Sequence, residues 1–186
     1  MRVKLLLGMV FFALIVCLWV VKILPWISGP STPAPAEVSS AIHWPSAWRV
    51  RKPSQVAENE GISDFRVERL EEGEHVAGMH LIVAKRDSSS KTLQSFFEQF
   101  TSSADESAGN QGMEVTRSAP VDGAIAGQPT IDVERQITVD GVAVQQSITL
   151  MLGKDSACAL VYAARSPYYD RYKKEFVEAR SSFRCP

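Results

Sequence analysis

The chain reads as an α+β protein: a mainly antiparallel sheet of about six to seven strands packed with two helices, preceded by an N-terminal transmembrane helix. Three observations predict this. Leu5 to Val21 is an uninterrupted apolar run behind the basic tip of Arg2 and Lys4. Beyond residue 40, apolar and polar residues alternate in several stretches of strand length. That alternation gives way twice to helical spacing, so the order is three strands, a helix, four strands, a helix.

The apolar run comes first. At 1.5 Å per residue it rises roughly 25 Å, a little short of a hydrocarbon core of about 30 Å. Lys22 to Ile27 makes up the difference, with Lys22 snorkelling and Trp26 suited to the headgroup boundary. A basic tip before an apolar run also opens a secretory signal, so two readings compete, and both export the remainder. The apolar region of a cleaved signal is about 7–15 residues. This one is longer, and its best small-x-small sequence, Ala34-Pro35-Ala36, lies far downstream among prolines, which favours an uncleaved anchor. Arg2, Lys4 and the amino terminus hold the short end in the cytoplasm, so the positive-inside rule sends the C-terminal bulk outward. Cys17 lacks a small-residue lipoprotein box, since Val16 precedes it and Leu18-Trp19-Val20-Val21 continues the apolar run. The expected organisation is therefore a signal-anchor over 1–27, a Pro/Ser/Ala-rich linker over 28–40 and an exported globular domain over 41–186. The expected address is the inner membrane, crossed once, with the domain in the periplasm.

The exported part has the size of one domain. Setting aside Arg2, Lys4 and Lys22 from the 20 basic residues leaves 17 against 21 acidic ones, a net charge of −4. That balance carries no basic footprint for nucleic acid.

Along the domain, Ala41 to Val50 reads as a short extended segment with a turn at Pro45, closed by Pro53. Ile62 to Leu70 and Val76 to Lys85 alternate around an acidic turn at Gly73 and form a hairpin. Leu93, Phe96, Phe97, Phe100 and Ala104 then share one helix face, with Ser89 or Ser90 as the cap and Gly109 as the stop. A strand follows from Met113 to Val121, with Gly123 and Gly127 in the next turn. Ile131, Val133, Ile137 and Val139 alternate up to Asp140-Gly141, and Val142, Val144, Ile148, Leu150 and Leu152 alternate back. Asp-Gly suits the positive φ of a type I′ hairpin turn. Ala157 to Ala164 is apolar on both faces, as a central strand is. Ser166 as cap and Pro167 in the first turn start the last helix, whose inward stripe is Tyr169, Tyr172, Phe176, Ala179 and Phe183.

The element order, Trp44-Pro45-Ser46-Ala47-Trp48, Leu93-Gln94-Ser95-Phe96-Phe97, Tyr172-Lys173-Lys174-Glu175-Phe176 and Ser181-Ser182-Phe183 together resemble the PsbP-like and DcrB-like superfamily over Ile42 to Pro186. The resemblance implies a small α/β/α sandwich without catalytic residues, of the kind used in envelope lipoproteins, photosystem assembly subunits and chaperones or adaptors of secretion systems. It transfers no functional residue to this chain. The apparent anchor and the late cysteines depart from the family pattern.

Chemistry-bearing motifs are sparse. His43, His75 and His80 accompany no H-E-x-x-H or CxxC. His75 and His80 are five apart and so point to opposite faces of a regular strand, unless a bulge at Gly78 brings them together. No G-x-S-x-G surrounds a serine, and Gly123-Ala124-Ile125-Ala126-Gly127 lacks the Lys-Ser/Thr of a phosphate loop. No catalytic residue, metal ligand or cofactor is expected. Trp44 and Trp48 are candidate interface residues, with burial at a sheet edge as the other reading. Cys158 and Cys185 are expected to form a disulfide. A strand from Cys158 to Arg165 covers roughly 25 Å, and a helix from Pro167 to Phe183 returns about the same distance. The chain therefore arrives back beside the strand's start, in an oxidising compartment.

These readings converge on a non-enzymatic, membrane-anchored module that binds a protein partner in the cell envelope. Its expected role is immunity against an envelope-targeting toxin, or that of a chaperone or adaptor for a secretion or envelope complex. The alternative is an exported hydrolase with an unconventional site, which needs Asp132 and Glu134 to converge with His80.

Overall fold

The computed structural model describes residues 42–51, 62–86, 90–139 and 141–186. The expected anchor over 1–27 and linker over 28–40 lie outside these residues. Among the described residues no helix is long and apolar enough to cross a membrane.

Among the described residues ten elements follow one another: β1 (Arg49–Arg51), β2 (Ile62–Glu71), β3 (Glu74–Lys85), α1 (Leu93–Gly109), β4 (Glu114–Arg117), β5 (Val121–Ile125), β6 (Gln128–Val139), β7 (Val142–Leu152), β8 (Ser156–Arg165) and α2 (Ser166–Ser182). The strands make one antiparallel sheet in the order β1-β2-β3-β8-β7-β6-β4, with β5 also paired to β6. Among the described residues the sheet thus has eight strands rather than six or seven. The stretch read as a single strand from Met113 is two, because Ser118-Ala119-Pro120 interrupts it and both halves lie along the same edge of β6. Proline has no N–H to give a ladder, so a break there costs little.

Period-2 patterning decides the layers. On β8, Cys158, Leu160, Tyr162 and Ala164 face α2, while Ala159 and Val161 face α1. On β3, Met79, Leu81 and Val83 join the α2 side and Ile82 the α1 side. β8 sits between β3 and β7, as a strand apolar on both faces must. The helices consequently cover opposite faces of the sheet. Phe97, Phe100, Ala104 and Ala108 of α1 pack on Ile131, Val133, Ile137, Ile148 and Leu150. Tyr169, Tyr172, Phe176 and Ala179 of α2 pack on the other face, where the Phe176 and Tyr169 rings stack on Tyr162 with centroids 5.2 and 5.1 Å apart.

Turn and cap chemistry departs from expectation in three places. Gly123 lies inside β5, opposite Thr130, and the turn is Ala126-Gly127, with φ of 48° and 81°. A left-handed pair is what a two-residue hairpin turn requires. Thr92, rather than Ser89 or Ser90, caps α1: its hydroxyl accepts from the Ser95 N–H at 3.1 Å, and Ser95 Oγ accepts the Thr92 N–H in return. Serine here fills the role Glu or Gln usually takes in a capping box. The helix stops at Gly109 as expected, and the chain reverses at Gly112, φ 70°. Ser166 is the first residue of α2, not its cap; Arg165 occupies that place and Ser166 Oγ donates to the Ala143 carbonyl at 3.2 Å.

The β6–β7 hairpin has the expected register, Val139 opposite Val142, with Gly141 at φ 77°. Cys158 and Cys185 are bonded, with Cα atoms 5.8 Å apart. The length argument explains why: α2 runs antiparallel to β8 and returns the chain to the strand's first turn.

Candidate functional site

Three groups of side chains compete as a site, and β-strand alternation decides which can meet. Asp132 and Glu134 are two apart on β6 and face α2, because Ile131 and Val133 take the α1 face. Both are engaged by other side chains. Asp132 receives Arg180 Nη2 at 2.5 Å and the Thr149 hydroxyl at 2.5 Å, and Arg180 Nε also donates to Thr149 Oγ1 at 2.8 Å. Glu134 accepts the Tyr169 hydroxyl and pairs with Lys173 at 3.2 Å. Burial, reinforced by the neighbouring Glu134 carboxylate, pushes the Tyr169 phenol far above its ordinary value, so it remains a donor. Glu71 repeats the arrangement on the β2–β3 hairpin, accepting the Tyr172 hydroxyl and pairing with Arg171 at 2.9 Å. These carboxylates are fasteners for α2.

His80 lies on the other face of the sheet. Arg66 is its partner across β2–β3, and Asp64 is two residues before Arg66, so all three project the same way. Arg66 holds Asp64 with two bonds, Nε to Oδ1 at 3.0 Å and Nη2 to Oδ2 at 2.5 Å, and His80 Nε2 lies against Asp64 Oδ1. The Asp64 side chain is fully shielded from solvent. Burial works against its charge, but His80 and Arg66 outweigh it and hold the carboxyl well below the usual range. Burial pushes His80 below its ordinary value against the pull of Asp64, so the ring is neutral at pH 7.

His75 joins this face, contrary to the alternation expected of a regular strand. The β2–β3 register slips between Arg69 and Leu70, since Arg69 opposes Ala77 whereas Leu70 opposes His75, leaving Val76 as an extra residue. A bulge re-aims the side chain beside it. His75 Nε2 consequently lies over Gly78, where a Cβ would come within 3.5 Å of it, and 3.9 Å from Glu68. The bulge is at Val76 and not at Gly78, but its effect is the one anticipated for that position. Among the described residues no group of three His, Cys, Asp or Glu side chains is placed to hold a metal ion.

The three residues the hydrolase reading needs are therefore divided. Asp132 and Glu134 face α2, His80 faces the opposite side, and β8 and β7 stand between β3 and β6. Three strand spacings amount to roughly 14 Å even before the thickness of the sheet is added.

The two candidate tryptophans differ. Trp48 is 5% exposed, its ring edge-on to Tyr162 and Tyr172 and its Nε1 donating to Glu175, which places it in the core and corrects the exposed-anchor reading for this residue. Large aromatic area near a helix of tyrosines is worth more buried than exposed. Trp44 is half-buried, stacked on Phe65 at 5.1 Å, and its indole N–H is enclosed without a partner. The Asp64–Arg66–His80 cluster went unnoticed in the sequence. The signal for it was an alternating polar set, Asp64, Arg66 and Glu68, on a strand whose other face is apolar.

Residues 39–185 match the family described as Domain of unknown function (DUF4946). The chain belongs to that family. Among curated protein sequences none matches it. Solved structures share its arrangement at low identity. The cyanobacterial PsbP of Synechocystis, CyanoP, is 13% identical with a TM-score of 0.58, over 85% of this chain and 100% of that one. A Bacteroides thetaiotaomicron structure is 9% identical with a TM-score of 0.51 over 78% of this chain, which spans 44% of that longer protein. A Pseudomonas aeruginosa protein of unknown function is 11% identical with a TM-score of 0.47, covering 75% and 87% of the two chains. The DUF4946 chain thus has a PsbP-like fold, as its sequence resemblance implied.

Proposed function

We propose that this DUF4946 protein is a non-enzymatic binding module, anchored in the inner membrane with its domain in the periplasm, whose partner is a protein of the cell envelope. The observation that carries the reading is the division of Asp132 and Glu134 from His80 by the sheet, with each carboxylate already bound to a cation or hydroxyl that fastens α2. Carboxylates divided from the histidine by the sheet share no substrate position with it, which concerted general acid–base chemistry needs. The disulfide between Cys158 and Cys185 supports an oxidising compartment, where such bonds persist. Two roles fit: immunity against a toxin that acts in the envelope, and service as a chaperone or adaptor of an envelope complex.

The test is purification of the full chain from membranes in mild detergent, with the co-eluting protein identified and its stoichiometry measured. Expected is one envelope protein in fixed ratio, and no turnover of ester, phosphoester or glycoside substrates. Turnover that disappears in His80→Ala or Asp132→Asn while the melting temperature holds would overturn the reading.

A further inference from the structure

Among the described residues the exposed large apolar ones, Val50, Leu70, Val121, Val142 and Val177, lie on five different elements. Val50 is the one with a partly buried aromatic pair beside it, on the β1–β2 flank where the chain enters the domain. Val50 lies opposite Val67 and on the α2 side of the sheet, yet is 58% exposed, and the stacked pair of Trp44 and Phe65 shares that side. Exposed Arg49 follows the buried Trp48, and His43 and Ala47 are exposed beside them. The lead-in itself is fastened: Ile42 is buried in the α2-side core, and the His43 N–H donates to Ser182 Oγ at 2.8 Å, two residues before exposed Arg184. Trp44 differs from Trp48 in that no hydrogen bond ties its ring, and an enclosed, unmatched N–H costs about 1–3 kcal/mol.

We infer that this flank, with Trp44, Phe65 and Val50 as its contact, docks on the surface of the bilayer that holds the chain's own anchor. The inference rests on the anchored reading proposed above. From Ile27 to Ile42 the chain reaches at most about 45 Å even if fully extended as polyproline II, comparable with the diameter of a domain whose radius of gyration is about 15 Å. A lead-in fastened at Ile42 and a short spacer keep this flank within reach of the membrane, so docking is intramolecular and a small patch suffices. The chemistry is that of an interfacial contact. Tryptophan favours the headgroup boundary, valine and phenylalanine enter the acyl margin, and Arg49 and Arg184 meet anionic phosphates. The opposite edge of the sheet provides the contrast. Val121 on β5 is equally exposed, at 63%, and stands six strand spacings away, roughly 29 Å.

The experiment uses the full chain carrying Cys17→Ser, reconstituted in vesicles of zwitterionic and anionic phospholipid, with a fluorophore on Val50→Cys or on Val121→Cys. Nitroxide-bearing lipid is the quencher. Expected is at least threefold stronger quenching at position 50 than at 121, with a blue-shifted emission at 50 only, and loss of that difference in Trp44→Ser at an unchanged thermal transition. Equal quenching at the two positions in chain that stays with the vesicles through an alkaline wash overturns the docking and leaves the anchor standing. Chain released by the wash overturns the anchored reading and the docking with it. A label at 50 that is aqueous on pure vesicles, and shielded only when envelope proteins are added, makes this flank a protein interface and overturns the lipid assignment.

Discussion

Reducing the Cys158–Cys185 bond should lower the stability of the domain by about 3.5 kcal/mol. The bond spans 27 residues of sequence. In the chain-entropy treatment, a loop of that length removes roughly 12 cal/mol/K from the unfolded ensemble, which at 25 °C is the stated free energy. For a domain of this size, whose unfolding entropy is roughly 0.3 kcal/mol/K, the same loss amounts to a fall in melting temperature of about 12 °C. Both sulfurs are buried, and Cys185 Sγ lies 3.4 Å from Ser156 Oγ and 3.7 Å from the Met151 carbonyl, so the reduced thiol retains contacts and the loss comes from chain freedom. The assay is urea unfolding of oxidised and reduced wild-type chain, with Cys158→Ala/Cys185→Ala alongside as a form that cannot re-oxidise. A loss under 1 kcal/mol in the reduced protein refutes the reasoning, because α2 would then be held on β8 equally well without the bond. Two alkylatable thiols in unreduced protein exported to the periplasm would remove its premise.

Asp105 meets Arg135 at 2.9 Å, where burial brings the guanidinium down to about 10 and its side chain is wholly shielded, so Asp105→Ala should cost about 3 kcal/mol by removing a counter-charge from a buried cation; denaturant midpoints measure it. Ala126 sits at φ 48° in the β5–β6 turn, and Ala126→Asn should stabilise by about 0.5–1 kcal/mol, visible as a higher melting temperature. Both Asp64 and His80 are depressed on folding. The stability each supplies is therefore complete above its unfolded value, near 6.5 for histidine and 4 for aspartate, and is lost as pH falls. His80→Gln should accordingly flatten the decline in urea midpoint between pH 7 and pH 5, and an unchanged slope would dismiss the neutral buried ring. Finally, residues 37–186 expressed alone should unfold cooperatively, since every described element lies within them; a monodisperse fragment with no thermal transition would make the N-terminal segment part of the fold.

The amino-acid sequence by itself determined the elements and their faces. Period 2 in β6 and β7, the two-residue Asp-Gly turn and the aromatic spacing of α2 are local properties, written in residues a few positions apart, and the apolar character of β8 on both faces already announced a central strand. The disulfide also followed from element lengths together with the expected export. What the tertiary structure decided were matters of register and enclosure. The slip at Val76 turned His75 onto the face of His80, because a single extra residue reverses alternation and nothing in composition distinguishes a bulge from a regular strand. Whether Asp132, Glu134 and Glu71 met solvent or α2 depended on where Arg180, Tyr169 and Tyr172 arrived from some thirty to a hundred residues away. Trp44 and Trp48, four residues apart with similar neighbours, were separated for the same reason. Trp48 met Glu175 and the tyrosines beneath α2, whereas Trp44 met Phe65 at the margin of the sheet, and a partner supplied by a distant segment cannot be read from the residue that receives it.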